Sequence, residues 1–151
     1  VAKGWSLDFS KYAQDTIAKT NQVMRRVALE VFKRVIKKTP VGYPPGWATK
    51  YKPKGYVGGR AKNNWFTNVG RASDATTETA EGSGSRALAE AETVTGSWVP
   101  LQGSIHLTNN LPYIEVLERG RIDNQGSKQA PNGMVAITIA EFGSIVEQAA
   151  K

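Results

Sequence analysis

The sequence predicts an α+β fold: a long N-terminal helix and a C-terminal helix packed on a small, mainly antiparallel sheet, with long loop or arm insertions. Three observations carry this. Residues 11–38 hold neither Pro nor Gly, and Ile17, Met24, Val27, Ala28, Val31, Val35 and Ile36 recur at helical spacing. Residues 64–70 and 103–108 alternate apolar and polar side chains, as half-buried strands do. Residues 134–150 return to helical spacing through Val135, Ile139, Phe142, Val146 and Ala149. At 151 residues the chain is the length of one domain, so we read 1–151 as a single unit with an extended basic, aromatic arm at about 40–63.

The first helix starts where Asp8 or Ser10 can cap its free N–H groups. Lys33, Arg34, Lys37 and Lys38 suit the negative end of its dipole, and Pro40 stops it. A break would fall at Thr20-Asn21, both weak helix formers. Residues 39–63 carry four prolines and five glycines, which argue against a helix and against most of a sheet. Tyr43, Trp47, Tyr51 and Tyr56 are interleaved there with Lys50, Lys52, Lys54, Arg60 and Lys62. That mixture suits either stacking and phosphate contact on nucleic acid or anchoring in a protein interface. We expect an arm that orders against a partner.

The strand at 64–70 puts Trp65, Thr67 and Val69 on one face. Residues 72–86 are polar and small, the composition of a mobile loop. A short helix follows over 86–94, with Ser85 as cap and Leu88 inward. In the second strand the only histidine, His106, falls opposite Ile105 and Leu107, as a solvent-side or hydrogen-bonded residue. Pro112 fits a first helical position, Tyr113, Ile114, Val116 and Leu117 form an apolar turn or two, and Gly120 ends it. Residues 120–131 form a second turn-rich loop. At 135–139 the β-branched run Val-Ala-Ile-Thr-Ile leaves a strand-like start open, running into helix. The helical layer over 11–38 is expected to cover the sheet made by the two strands.

Composition narrows function. With no cysteine there is no disulfide, thiolate nucleophile or thiolate metal site, as in proteins made in a reducing cytoplasm. One histidine excludes a multi-histidine zinc site within the chain. The 13 Asp and Glu residues form no calcium-loop motif, and no phosphate-binding glycine motif occurs. We expect no enzyme, no catalytic, cofactor-binding or metal residues, and no cofactor. No apolar run is long enough to span a membrane, and no apolar stretch follows Lys3 to make Val1-Ala2-Lys3-Gly4-Trp5 the start of a signal peptide. A removed initiator methionine would fit the small Val1 that opens the sequence.

The formal net charge of +7 is uneven. Residues 1–62 hold 14 Lys/Arg against 3 Asp/Glu, a charge of +11, and residues 63–151 hold 6 against 10, a charge of −4. Basic surface can face nucleic acid, opposite faces can pair head-to-tail around a ring, or the charge can simply keep the chain solvated.

Five blocks carry a resemblance. They are Thr39-Pro40-Val41, Gly59-Arg60-Ala61-Lys62-Asn63-Asn64-Trp65, Thr108-Asn109-Asn110-Leu111-Pro112-Tyr113, Leu117-Glu118-Arg119-Gly120 and Ser127-Lys128-Gln129-Ala130-Pro131-Asn132-Gly133-Met134-Val135. Together they resemble the tail-completion, neck or head–tail joining proteins of siphophage-type bacteriophages, also called minor tail proteins. Members usually run from the first block to the Gly-Arg pair within a few residues, whereas here residues 42–58 intervene. The resemblance implies a structural virion protein, assembled in the host bacterial cytoplasm. It would form a homo-oligomeric ring, commonly a hexamer, between the head connector or adaptor and the tail terminator or tube, with genomic DNA passing through and no membrane involved. Tyr43, Trp47, Tyr51, Tyr56 and Arg60 are then the expected interface residues, and Lys50, Lys52, Lys54 and Lys62 the expected DNA-channel or electrostatic contacts. The alternatives are a nucleic-acid-binding module using the same arm, or a tail terminator or tube subunit.

Overall fold

The computed structural model describes residue 4 and residues 8–46, 54–120 and 127–151. The readings made on residues 1–3 and 5, on Trp47, Lys50, Tyr51 and Lys52, and on 121–126 of the second loop lie outside the described residues. Among those described, the elements in chain order are α1 (Phe9–Lys38), α2 (Arg60–Asn63), β1 (Phe66–Val69), α3 (Ser85–Ser97), β2 (Ile105–Thr108), α4 (Ile114–Arg119), α5 (Val135–Ala140) and α6 (Phe142–Ala149). The fold is α+β, with a two-stranded antiparallel sheet whose register sets Phe66 opposite Thr108 and Val69 opposite Ile105.

Asp8 caps α1, its carboxylate accepting from the Ser10 and Lys11 N–H groups at 3.0 and 3.2 Å. The helix runs unbroken through Thr20-Asn21. The Thr16 and Thr20 hydroxyls donate back to the carbonyls four residues earlier, which removes their usual competition with the helix. Only the second half of α1 is in the body of the molecule. Phe32, Val35 and Ile36 form the core with Trp65, Ala87, Ala91 and Met134, and residues 8–20 are exposed on every side. Ala87 and Ala91 have no exposed surface and give α3 a small-residue face on which α1 lies closely. The sheet's main helical neighbour is therefore α3, not α1 as expected.

Several local expectations are corrected. The Pro/Gly-rich stretch does hold helical turns, a 3₁₀ turn at Pro44–Gly46 and α2 at Arg60–Asn63. The first strand begins at Phe66, and Val69 ends it exposed instead of sharing a buried face with Trp65 and Thr67. Its outer edge is covered by α3: Glu90 accepts the Thr67 N–H at 2.9 Å, and Arg86 stacks 4.1 Å from the Phe66 ring centre. Ser85 is the first residue of α3, not its cap. Gly84 holds the cap position at φ +73°, and the Glu81 carboxylate accepts the Ser85 N–H at 2.8 Å. Pro112 precedes its helix by two residues instead of opening it. His106 bonds Ser104 Oγ through Nε2 at 2.9 Å, as a hydrogen-bonded strand residue. The run at 135–139 is helical, and a turn at Glu141 separates α5 from α6.

Candidate interaction groove

The five sequence blocks meet in space. The Thr39 N–H and hydroxyl close the end of α1 by donating to the Val35 carbonyl, and the buried Trp65 indole N–H donates to the Thr39 hydroxyl at 2.8 Å. The first block thus fastens to the second. Val41 and Gln129 exchange two hydrogen bonds, N–H to Oε1 at 2.9 Å and Nε2–H to the carbonyl at 2.7 Å, which joins the first block to the fifth. Asn109 donates to the Ala61 carbonyl at 2.9 Å, joining the third to the second. The Glu118 carboxylate accepts the N–H groups of Met134, Val135 and Ala136 at 2.8, 2.9 and 2.8 Å. That is a helix cap supplied from α4 to the first turn of α5, where negative charge also suits the dipole. Gly133, at φ +74°, presses so closely on Glu118 that a methyl group there would stand 2.5 Å from Oε1.

The expected mobile loop is tied down by the same blocks. Asn64 donates to the Thr77 carbonyl at 2.9 Å and accepts the Thr77 N–H at 2.8 Å. Asn63 reaches the Glu81 carbonyl at 2.9 Å, and Asn110 those of Ser73 and Ala75 at 2.9 and 3.0 Å. Polar composition read as mobility because the groups that satisfy its backbone lie far off in sequence.

Around this network opens a groove of about 570 Å³, lined among others by Val41, Tyr43, Tyr56, Arg60, Tyr113 and Gln129. It lies at the root of the arm. The two ends of the arm touch: a methyl group at Gly58 would collide with the backbone carbonyl of Gly42, and one at Gly42 with the Tyr56 hydroxyl. The chain therefore leaves the body at Gly42 and returns to the same place at Gly58.

Of the expected interface residues, the structure brings Tyr43, Tyr56 and Arg60 to this groove. Arg60 pairs with Glu78 at 2.5 Å. Tyr113, whose spacing in the sequence points only to a helical turn, is a fourth member, and burial raises its hydroxyl pKa. Its place in the third block was the available signal. Lys54 is exposed in a turn. Lys62 is set apart: its stem packs on Gly84, and burial, opposed by Glu81, lowers its pKa.

The charge asymmetry is partly consumed inside the fold. Lys33 pairs with Glu92 at 2.6 Å, and Arg34 and Lys38 both pair with Glu141, at 2.8 and 2.7 Å. These hydrogen bonds lower the pKa of both carboxyls. Among the described residues, no cluster of three His, Asp or Glu side chains could hold a metal ion, and no helix is long and apolar enough to cross a membrane. Compared with known protein families, curated proteins and solved structures, the chain matches none.

Proposed function

We propose that this chain is a structural virion subunit of the phage neck. It forms a ring, commonly sixfold, that joins the head connector to the tail tube and lets DNA pass. The observation that carries the reading is the convergence of the five blocks. Residues up to 88 apart in sequence form one bonded network at the root of the arm. This convergence supports reading the blocks as one tertiary framework from which the arm departs. Its aromatic and cationic side chains suit anchoring to a neighbouring subunit or ring.

The rival nucleic-acid reading draws less support, because Lys33, Arg34, Lys38 and Arg60 are already held by carboxylates of the same chain. Gold-labelled antibody against the chain, viewed on virions by electron microscopy, tests the proposal. Label confined to the head–tail junction is the expected result. Label along the tail favours a tube component, and no label on any particle overturns the virion reading.

A further inference from the structure

The sheet has two edges, and they are treated differently. The edge of β1 is closed by α3, where Glu90 accepts the Thr67 N–H at 2.9 Å. The phase of the ladder says which groups lie on the edge of β2. The Gly70 N–H donates to the Ser104 carbonyl at 2.8 Å, which continues the register, so Ser104, His106 and Thr108 turn their backbone groups toward β1. Ile105 and Leu107 turn theirs outward. Among the described residues, no third strand and no side chain meets those outward N–H and carbonyl groups. A free strand edge is a template for another strand. β2 is short, but it carries no Lys, no Pro and no bulge to turn a second strand away.

We infer that β2 pairs with β2 of a second copy, antiparallel about a two-fold axis at His106, which makes one four-stranded sheet of two. Hydrogen-bonding phase selects both the occupant and the register. With Ile105 opposite Leu107 of the second copy, and the reverse, every outward N–H and carbonyl of both strands is bonded. The neighbouring registers do worse. Centring on Ile105 sets Leu107 against Gly103, whose carbonyl already accepts the Trp98 indole N–H at 2.8 Å. Centring on Leu107 sets Ile105 against Asn109, beyond the end of the strand. Side chains match in the same register. Ile105 lies beside Leu107 on the face that packs on the core, and Ser104 beside Thr108 on the other face, an apolar pair and a hydroxyl pair. Residues 103–110 hold no Lys, Arg, Asp or Glu, so no such charges are set face to face. A two-fold contact of this kind is not the head-to-tail joint of a ring. It closes the open edge in the free chain and stands apart from the neck reading.

Four hydrogen bonds make a weak contact, so covalent trapping is the apt measurement. The chain has no cysteine, so engineered thiols have no background. Residues opposite one another at non-hydrogen-bonded positions have Cα atoms about 4.5 Å apart, within the ~4.4–6.8 Å that a disulfide spans. Position 106 faces itself in this way, and position 104 faces 108. Purified full-length His106→Cys chains, oxidised in solution, are expected to form disulfide dimers about tenfold faster than chains with Lys37→Cys, exposed on α1, which report random collision. Ser104→Cys and Thr108→Cys chains, which keep His106, are mixed in equal amounts as the second measurement. Their mixed disulfide is expected to form about tenfold faster than either like-with-like dimer. Faster like-with-like dimers at 104 and 108 would overturn the inference in favour of parallel pairing. Rates at 104, 106 and 108 no higher than that of Lys37→Cys would overturn it outright, since the edge then takes no second copy.

Discussion

Glu118 does the work of an N-cap residue from another helix. Removing it strands three N–H groups at the start of α5. Glu118→Ala is expected to cost about 1–2 kcal/mol in urea unfolding, with Glu118→Gln recovering part of it. Thr39→Val leaves the buried Trp65 indole N–H without its acceptor, and a loss of about 1–3 kcal/mol is expected in the same assay. Glu81 gives a pH signature. The Ser83 hydroxyl, then Asn63 and the N–H groups of Ser83 and Ser85, hold its pKa at about 2, against the opposing pull of burial. A carboxyl depressed on folding contributes stability that is complete above its ordinary value of 4.5 and lost as the pH falls toward 2. Urea midpoints should therefore decline over that window, and Glu81→Gln should flatten that part of the decline. None of these roles was legible in the sequence. A local capping box has its partner three residues away, whereas Glu118 serves a helix across a loop.

At the scale of elements, spacing alone located α1, both strands, α4 and the C-terminal helices. It failed where distant side chains decide the local form. The short helix α2 begins at Gly59, whose φ of +98° and contact with the Glu81 carbonyl leave no room for a side chain. Its four residues hold their shape because Asn63, Asn64 and Asn109 bond across it. The face between α1 and α3 was also hidden, because Ala87 and Ala91 carry little hydrophobic signal while setting how closely the helices approach. Ala91→Leu is expected to cost about 1–3 kcal/mol through overpacking. Substituting Phe9 or Ile17 by Ser in the exposed first half of α1 should change the stability of the isolated chain by no more than about 0.5 kcal/mol, since both side chains are exposed.

For the whole molecule, the tally of charges suggested a basic part and an acidic part facing different partners. Folding brings the two together, so Lys33, Arg34, Lys38 and Arg60 neutralise Glu92, Glu141 and Glu78. Duplex binding by the full chain is expected to be weak and to vanish between about 50 and 200 mM salt, as measured by fluorescence anisotropy. Tight binding that survives physiological salt would turn the assignment toward the nucleic-acid module. The groove was legible only in part: the blocks named its lining, but their meeting depends on hydrogen bonds such as that between Val41 and Gln129.

The touching glycines at positions 42 and 58 make the arm a cassette. Lengthening such a loop twofold adds only about 0.6 kcal/mol of closure entropy, so what lies between the glycines is free to diverge, shrink or be replaced while the framework below stays constant. For the experimenter it is a grafting port, where an epitope or a fluorophore-bearing peptide can be seated without disturbing the core.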